Sequence, residues 1–195
     1  MSPRFVSKSA LFVAAAISAG FASPAFAHVG DHAGGLASGL SHPFTGLDHM
    51  LAMVAVGLWA SQLGQRAMWL LPAMFVTVMA AGAVMGASGI ALPWVELGIL
   101  ASVVVLGAAV AFRMQMSVGL GAALVAIFAV FHGHAHGTEL PAAGSALLYG
   151  LGFMAATATL HAIGVGIGTL VRQPLVMRTA GGAIAAAGLL LLVTQ

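Results

Sequence analysis

The sequence predicts an all-α membrane protein: a polytopic bundle of six transmembrane helices behind a cleaved signal peptide. Three observations carry this. Of 195 residues, 61% are hydrophobic and only 5% charged, and the mean hydropathy is +1.09. A soluble domain carries about a quarter of its residues as charges, so a soluble enzyme is excluded. Disorder is excluded too, because it needs polarity and charge. Second, charges, prolines and glycines divide the chain into apolar runs, most of them near the ~20 residues that cross ~30 Å of hydrocarbon. Third, the arginines fall at alternate breaks between those runs. The 26 glycines follow no Gly-X-Y period, which excludes collagen. The absence of cysteine removes disulfides, thiolate metal sites and thiol catalysis.

Residues 1–27 have the three parts of a secretory leader. Arg4 and Lys8 form a positive start, Ala10 to Phe21 an apolar run short for a span, and Ala25-Phe26-Ala27 a small-x-small cleavage site. The alternative is an uncleaved first helix. Cleavage after Ala27 makes His28 the mature N-terminus. Residues 28–195 then form one six-helix transmembrane domain, with spans expected at about 43–63, 67–88, 93–112, 115–133, 143–170 and 175–194. In this part Arg66, Arg113, Arg172 and Arg178 balance Asp31, Asp48, Glu96 and Glu139. No basic patch is left for nucleic acid.

Arg66 follows the first span, Arg113 the third, and Arg172 and Arg178 the fifth. All four fall on one side, which the positive-inside rule assigns to the cytoplasm. Both mature termini then face the periplasm of a bacterial inner membrane, in agreement with the leader. Gly82 with Gly86, and Gly164 with Gly168, are small-xxx-small pairs that let helices approach closely. Trp59, Trp69 and Trp94 fall near span ends, as interfacial aromatics do. The eleven methionines read as flexible filler rather than soft copper ligands.

The chemistry lies in the histidines. Titratable groups at membrane depth are costly and mark pathways. His42-Pro43-Phe44-Thr45-Gly46-Leu47-Asp48-His49 opens the first span. In an unbroken helix His42 and His49, two turns apart, share a face, and Asp48 lies about 100° round from His49. His49 stands 17 residues before Arg66, roughly 25 Å along a helix, so the motif sits in the outer half. A carboxylate there needs a cation or a proton. Every arginine is on the far side, which leaves a metal ion or protonation. The bland alternative is a His–Asp bond that only fastens helices.

Phe131-His132-Gly133-His134-Ala135-His136-Gly137-Thr138-Glu139 closes the fourth span at the same outer level. As a helix it puts His132, His136 and Glu139 on one face. As an extended segment it points all three His one way. Both remain open, as does a solvated His-rich loop. His161 lies deeper, in the fifth span, as either a helix bridge or a transport residue. His28 and His32, with Asp31, would form a mobile tail or a capture arm whose free amine and imidazole chelate metal.

The stretches HPFTGLDHMLAMVAVGLWA (42–60), FHGHAHGTELP (131–141) and TATLHAIG (157–164) together resemble the HupE/UreJ family of bacterial membrane proteins. The resemblance covers essentially the whole chain. It implies uptake of nickel, or cobalt in some members, for hydrogenase or urease maturation. It also implies that His42, Asp48 and His49, with His136 and Glu139, form the metal-recognition motifs, His132 and His134 lying beside them.

The expected function is therefore a secondary transporter or facilitator for a divalent transition metal, Ni²⁺ foremost and Co²⁺ next. It is not an enzyme and has no prosthetic group. Its partners are the ion and the lipid bilayer, and the expected ligands are His42, Asp48, His49, His132, His134, His136 and Glu139. No G-x-x-x-x-G-K-[ST] motif for ATP occurs. Capture by the second motif, followed by coordination at the first, is the expected route. The competing reading is an intramembrane zinc hydrolase, with Ser41 or Ser145 assisting. A bis-His haem protein is a third class.

Overall fold

The computed structural model describes residues 35–140, 145–171 and 173–194. The expected leader, Asp31, Arg172, and the His28 and His32 candidates lie outside the described residues. The chain runs α1 (Leu36–Ser41), a 3-10 turn (His42–Phe44), α2 (Leu47–Leu63), α3 (Gln65–Ala87), α4 (Val95–Phe112), α5 (Val118–Thr138), α6 (Ala146–Leu170) and α7 (Pro174–Thr194). No strand occurs among the described residues. Helices α3 to α7 are each long and apolar enough to cross a membrane. The first arm and α2 make a sixth span if the bent pair counts as one. The protein is a multi-pass helical membrane bundle.

The helix starts follow local chemistry. The Ser117 and Ser145 hydroxyls accept from the N–H groups of Leu120 and Leu148, each at 3.3 Å, which caps α5 and α6. Pro174 opens α7, where a missing N–H costs nothing.

The first expected span is not one straight helix. It bends by 82° between Phe44 and Leu47. Gly46 takes an extended conformation (φ −92°, ψ 114°) and its carbonyl starts the new ladder by accepting from Met50. The two-turn relation between His42 and His49 therefore does not hold. They approach the same place from two arms of a bend.

Helix α2 is buried nearly all round, from Ala52 to Ala60, and forms the axis of the bundle. Its Ala52–Ala60 stretch is apolar on every side and can take that place because it needs no polar face. Trp59 goes with it: it is fully buried and its indole N–H donates to the Met114 carbonyl at 3.0 Å. This corrects its expected interfacial role. Trp69 and Trp94 remain exposed, as a membrane interface allows. Met53 and Met79 are buried filler.

Glycines fix how closely the helices meet. A Cβ on Gly82 or Gly86 of α3 would strike the carbonyls of Val130 or His134 in α5. One on Gly133 or Gly137 would strike those of Met79 or Ala83 in α3. Gly57 of α2 meets Gly164 of α6 in the same way, and Gly107 of α4 meets Gly181 of α7. Lipid gives no hydrophobic drive between helices, so such backbone contact holds them together.

Candidate metal centre

The second motif is helical, the last two turns of α5. A step of two residues turns about 200° and a step of four about 40°. His132 and His136 therefore share the inner face, while His134 faces away. Gly133 and Gly137 are one step round, against α3. The repeat His-Gly-His-Ala-His-Gly thus separates two duties: glycines let α3 in, and alternate histidines look to the interior.

His134, one of the expected ligands, has a partner of its own on another segment. Its Nε2 bonds the Ile90 carbonyl at 2.7 Å, and so pins α5 to the segment between α3 and α4. His134→Ala is expected to leave metal affinity within about twofold. It should lower thermal stability by about 1 kcal/mol, the worth of one such bond. Unfolding and metal titration of the purified variant check this.

The first motif enters from the bend. Asp48 is in the first turn of α2, where an anion suits the helix N-terminus. Its Oδ1 accepts twice from His49: from the backbone N–H at 2.8 Å and from Nδ1 at 2.9 Å. A carboxylate accepts only, so Nδ1 carries the proton and Nε2 keeps its lone pair. Asp48 thereby fixes the orientation of the His49 ring, an arrangement common around bound metals. Gly46 leaves the room for it. A Cβ there would stand 3.0 Å from Asp48 Oδ1 and 3.3 Å from His49 Nδ1.

The two motifs meet. The His136 ring lies 4.9 Å from that of His42 and 4.5 Å from that of His49, and His49 is 4.7 Å from His132. Glu139 Oε2 is 3.9 Å from His42 Nε2 and 4.0 Å from His136 Nδ1. One ligand atom from each of His42, His136 and Glu139 lies within 4.8 Å of the other two. Imidazole and carboxylate bind an ion such as zinc at about 2.0–2.2 Å. Two ligand atoms about 4 Å apart can thus flank one ion after small side-chain rotations.

Exposure grades along the group. The Glu139 and His42 side chains are 59% and 37% exposed, and His136 only 5%. His132 and His161 are fully buried. The motifs therefore interleave from a mouth inward, rather than following one another as the expected capture route has it. His161 comes next below. The Phe75 ring lies between, 5.5 Å from His132 and 5.0 Å from His161.

Several buried imidazole nitrogens have no hydrogen-bond partner among the described residues: His49 Nε2, His132 Nδ1, His134 Nδ1, and both nitrogens of His136 and of His161. Leaving a buried polar atom unpaired costs about 1–3 kcal/mol, so a cluster of them calls for a ligand. Counted as neutral imidazoles with ionised Asp48 and Glu139, the cluster carries two negative charges. One divalent cation cancels them.

Sequence reasoning missed four neighbours. Phe153 packs 3.9 Å from the His136 ring, and Tyr149 lies 5.9 Å from His42. Phe75 separates His132 from His161, and Ser102 of α4 bonds His132 Nε2 at 2.9 Å. Only Ser102 left a signal, a hydroxyl in an otherwise apolar run. The serines of the hydrolase reading are engaged elsewhere. Ser41 donates to the Ser38 carbonyl at 3.1 Å, and Ser145 caps α6.

Residues 15–191 match the family model described as HupE / UreJ protein. The chain is 53% identical over 174 residues to Protein HupE of Rhizobium leguminosarum bv. viciae, covering 88% of this chain and 91% of that one. No solved structure matches. The chain belongs to the HupE/UreJ family.

Proposed function

We propose that this HupE/UreJ protein carries a divalent transition metal ion inward across the bacterial inner membrane, with Ni²⁺ as first substrate and Co²⁺ as second. One observation carries the reading. Four imidazoles and two carboxylates from two distant motifs converge in a membrane bundle, with lone pairs that no donor among the described residues uses. Imidazole and carboxylate suit this class of ion, and geometry chooses among its members.

His42 and Glu139 form the mouth, where a hydrated ion first exchanges water for protein ligands. His136 touches both motifs and passes the ion to His49 and His132. His161, beyond Phe75, continues the line toward the far end. There a cavity of about 310 Å³ is lined by Ser61, Gln62, Arg113 and Thr169, at the end that carries the arginines. Positive-inside bias makes that end cytoplasmic. The metal supplies hydrogenase or urease maturation. It is cargo rather than a catalytic cofactor, so binding must be weak enough to release it. Loading an imidazole displaces any proton it holds, which makes a proton gradient a natural coupling to test.

The test is uptake by proteoliposomes of purified protein, with Ni²⁺, Co²⁺ and Zn²⁺ compared with and without a pH gradient. Saturable Ni²⁺ entry above empty liposomes is expected, with Co²⁺ competing. No entry of any of the three ions removes the transport reading.

A further inference from the structure

Ser102 lies in the middle of α4 and is fully buried among apolar neighbours. Its hydroxyl has one proton and two partners. The Ile99 carbonyl lies at 2.6 Å and His132 Nε2 at 2.9 Å. A carbonyl can only accept, so the shorter contact takes the hydroxyl proton. Toward His132 the same oxygen is then an acceptor, and Nε2 must carry the ring proton. That leaves Nδ1 of His132 with its lone pair bare, buried, and without a partner among the described residues. The ring stands nearly perpendicular to that of His49, 4.7 Å away.

We propose that Ser102 is a positioning residue of the metal site: by accepting from Nε2–H it fixes the tautomer and orientation of His132, so that Nδ1 is the atom offered to the ion. The inference rests on the metal-carrier reading above. It parallels what Asp48 does for His49, with opposite atoms. Asp48 holds Nδ1–H and frees Nε2, whereas Ser102 holds Nε2–H and frees Nδ1. The two rings stand next to each other, so both unpartnered lone pairs belong to one cluster. A neutral hydroxyl serves at His132 because it satisfies the ring at full burial without adding a charge to the interior.

The test has two readouts on the full-length protein in detergent. The first is ¹⁵N NMR of histidine-labelled, metal-free protein, with His132 assigned by its loss in His132→Asn. Wild type should show His132 as the Nε2–H tautomer, and Ser102→Ala should show a mixture. The second is Ni²⁺ titration. Ser102→Ala should weaken affinity roughly 10–100-fold, the usual cost of losing a group that orients a metal-bound His. Ser102→Thr, which keeps the hydroxyl, should recover most of it. In a His132→Asn background, Ser102→Ala should cost nothing more.

A wild-type His132 protonated on Nδ1 overturns the inference. So does Ser102→Ala with unchanged affinity, or an equal loss with and without His132. A purely structural role for Ser102 would lower thermal stability without moving the tautomer. Wild type that binds no Ni²⁺ overturns the carrier reading itself, and the wild-type titration tells that failure from the others.

Discussion

Asp48→Ala is expected to abolish nickel uptake while the protein still reaches the membrane in normal amount. Two losses combine. The carboxylate that holds His49 Nδ1–H at 2.9 Å disappears, so the orientation and tautomer of the His49 ring, beside those of His132 and His136, are no longer fixed. One of the two negative charges that offset a divalent ion goes with it. Losing an orienting carboxylate alone typically costs 10–100-fold in metal affinity. Removing a compensating charge at membrane depth adds to that. Asp48→Asn separates the terms: its amide oxygen can still accept from Nδ1–H, but the charge is gone. A partial loss in Asp48→Asn and a complete loss in Asp48→Ala would assign shares to charge and orientation. Radiolabelled ⁶³Ni²⁺ uptake, normalised to membrane-embedded protein, is the measurement. Near-normal uptake by Asp48→Ala would count decisively against the site.

The second large effect concerns packing, and its sign is opposite to what helix propensity suggests. In an exposed helix Gly→Ala stabilises by about 0.8–1.0 kcal/mol. Gly182, on α7 with open space about its missing Cβ, should show that gain. Gly133→Ala should destabilise by about 3 kcal/mol or more, the upper range for overpacking. Its Cβ would enter the Met79 carbonyl, a backbone atom that cannot rotate aside. Helices α3 and α5 would have to separate. Because His132 and His136 flank Gly133 on α5, metal affinity should fall together with stability. Thermal unfolding in detergent and Ni²⁺ titration, with Gly182→Ala as reference, check both. A Gly133→Ala protein as stable as wild type would show that the helices yield without cost.

The helix limits and the site were legible to different degrees. Charges and prolines at the breaks set the second, third, fifth and sixth expected spans within a few residues of their helices, because those signals are local and strong. The fourth span is the larger departure. Its expected end at residue 133 falls short of α5, which continues to Thr138. The run His-Gly-His-Ala-His-Gly looked like an apolar span giving out, yet it is helical because its glycines pack on α3 and its inner histidines face other side chains. Its alternation left helix and extended chain equally open, and only α3 against Gly133 and Gly137 settles the matter. That same choice brings His132 and His136 inward and sends His134 to Ile90.

What the sequence alone determined is the class of molecule and the inventory of its chemistry: a helical membrane bundle, with most of its histidines in two short motifs and His161 apart from them. Hydropathy and spacing suffice for that, since each depends on neighbours within a few turns of chain. Tertiary structure decided which atoms meet. It set the 82° bend that places His42 over His136, the indole of Trp59 in the interior, and the hydroxyl of Ser102 beside His132, 30 residues away in the chain. Such contacts depend on where another helix passes, and no local periodicity encodes that.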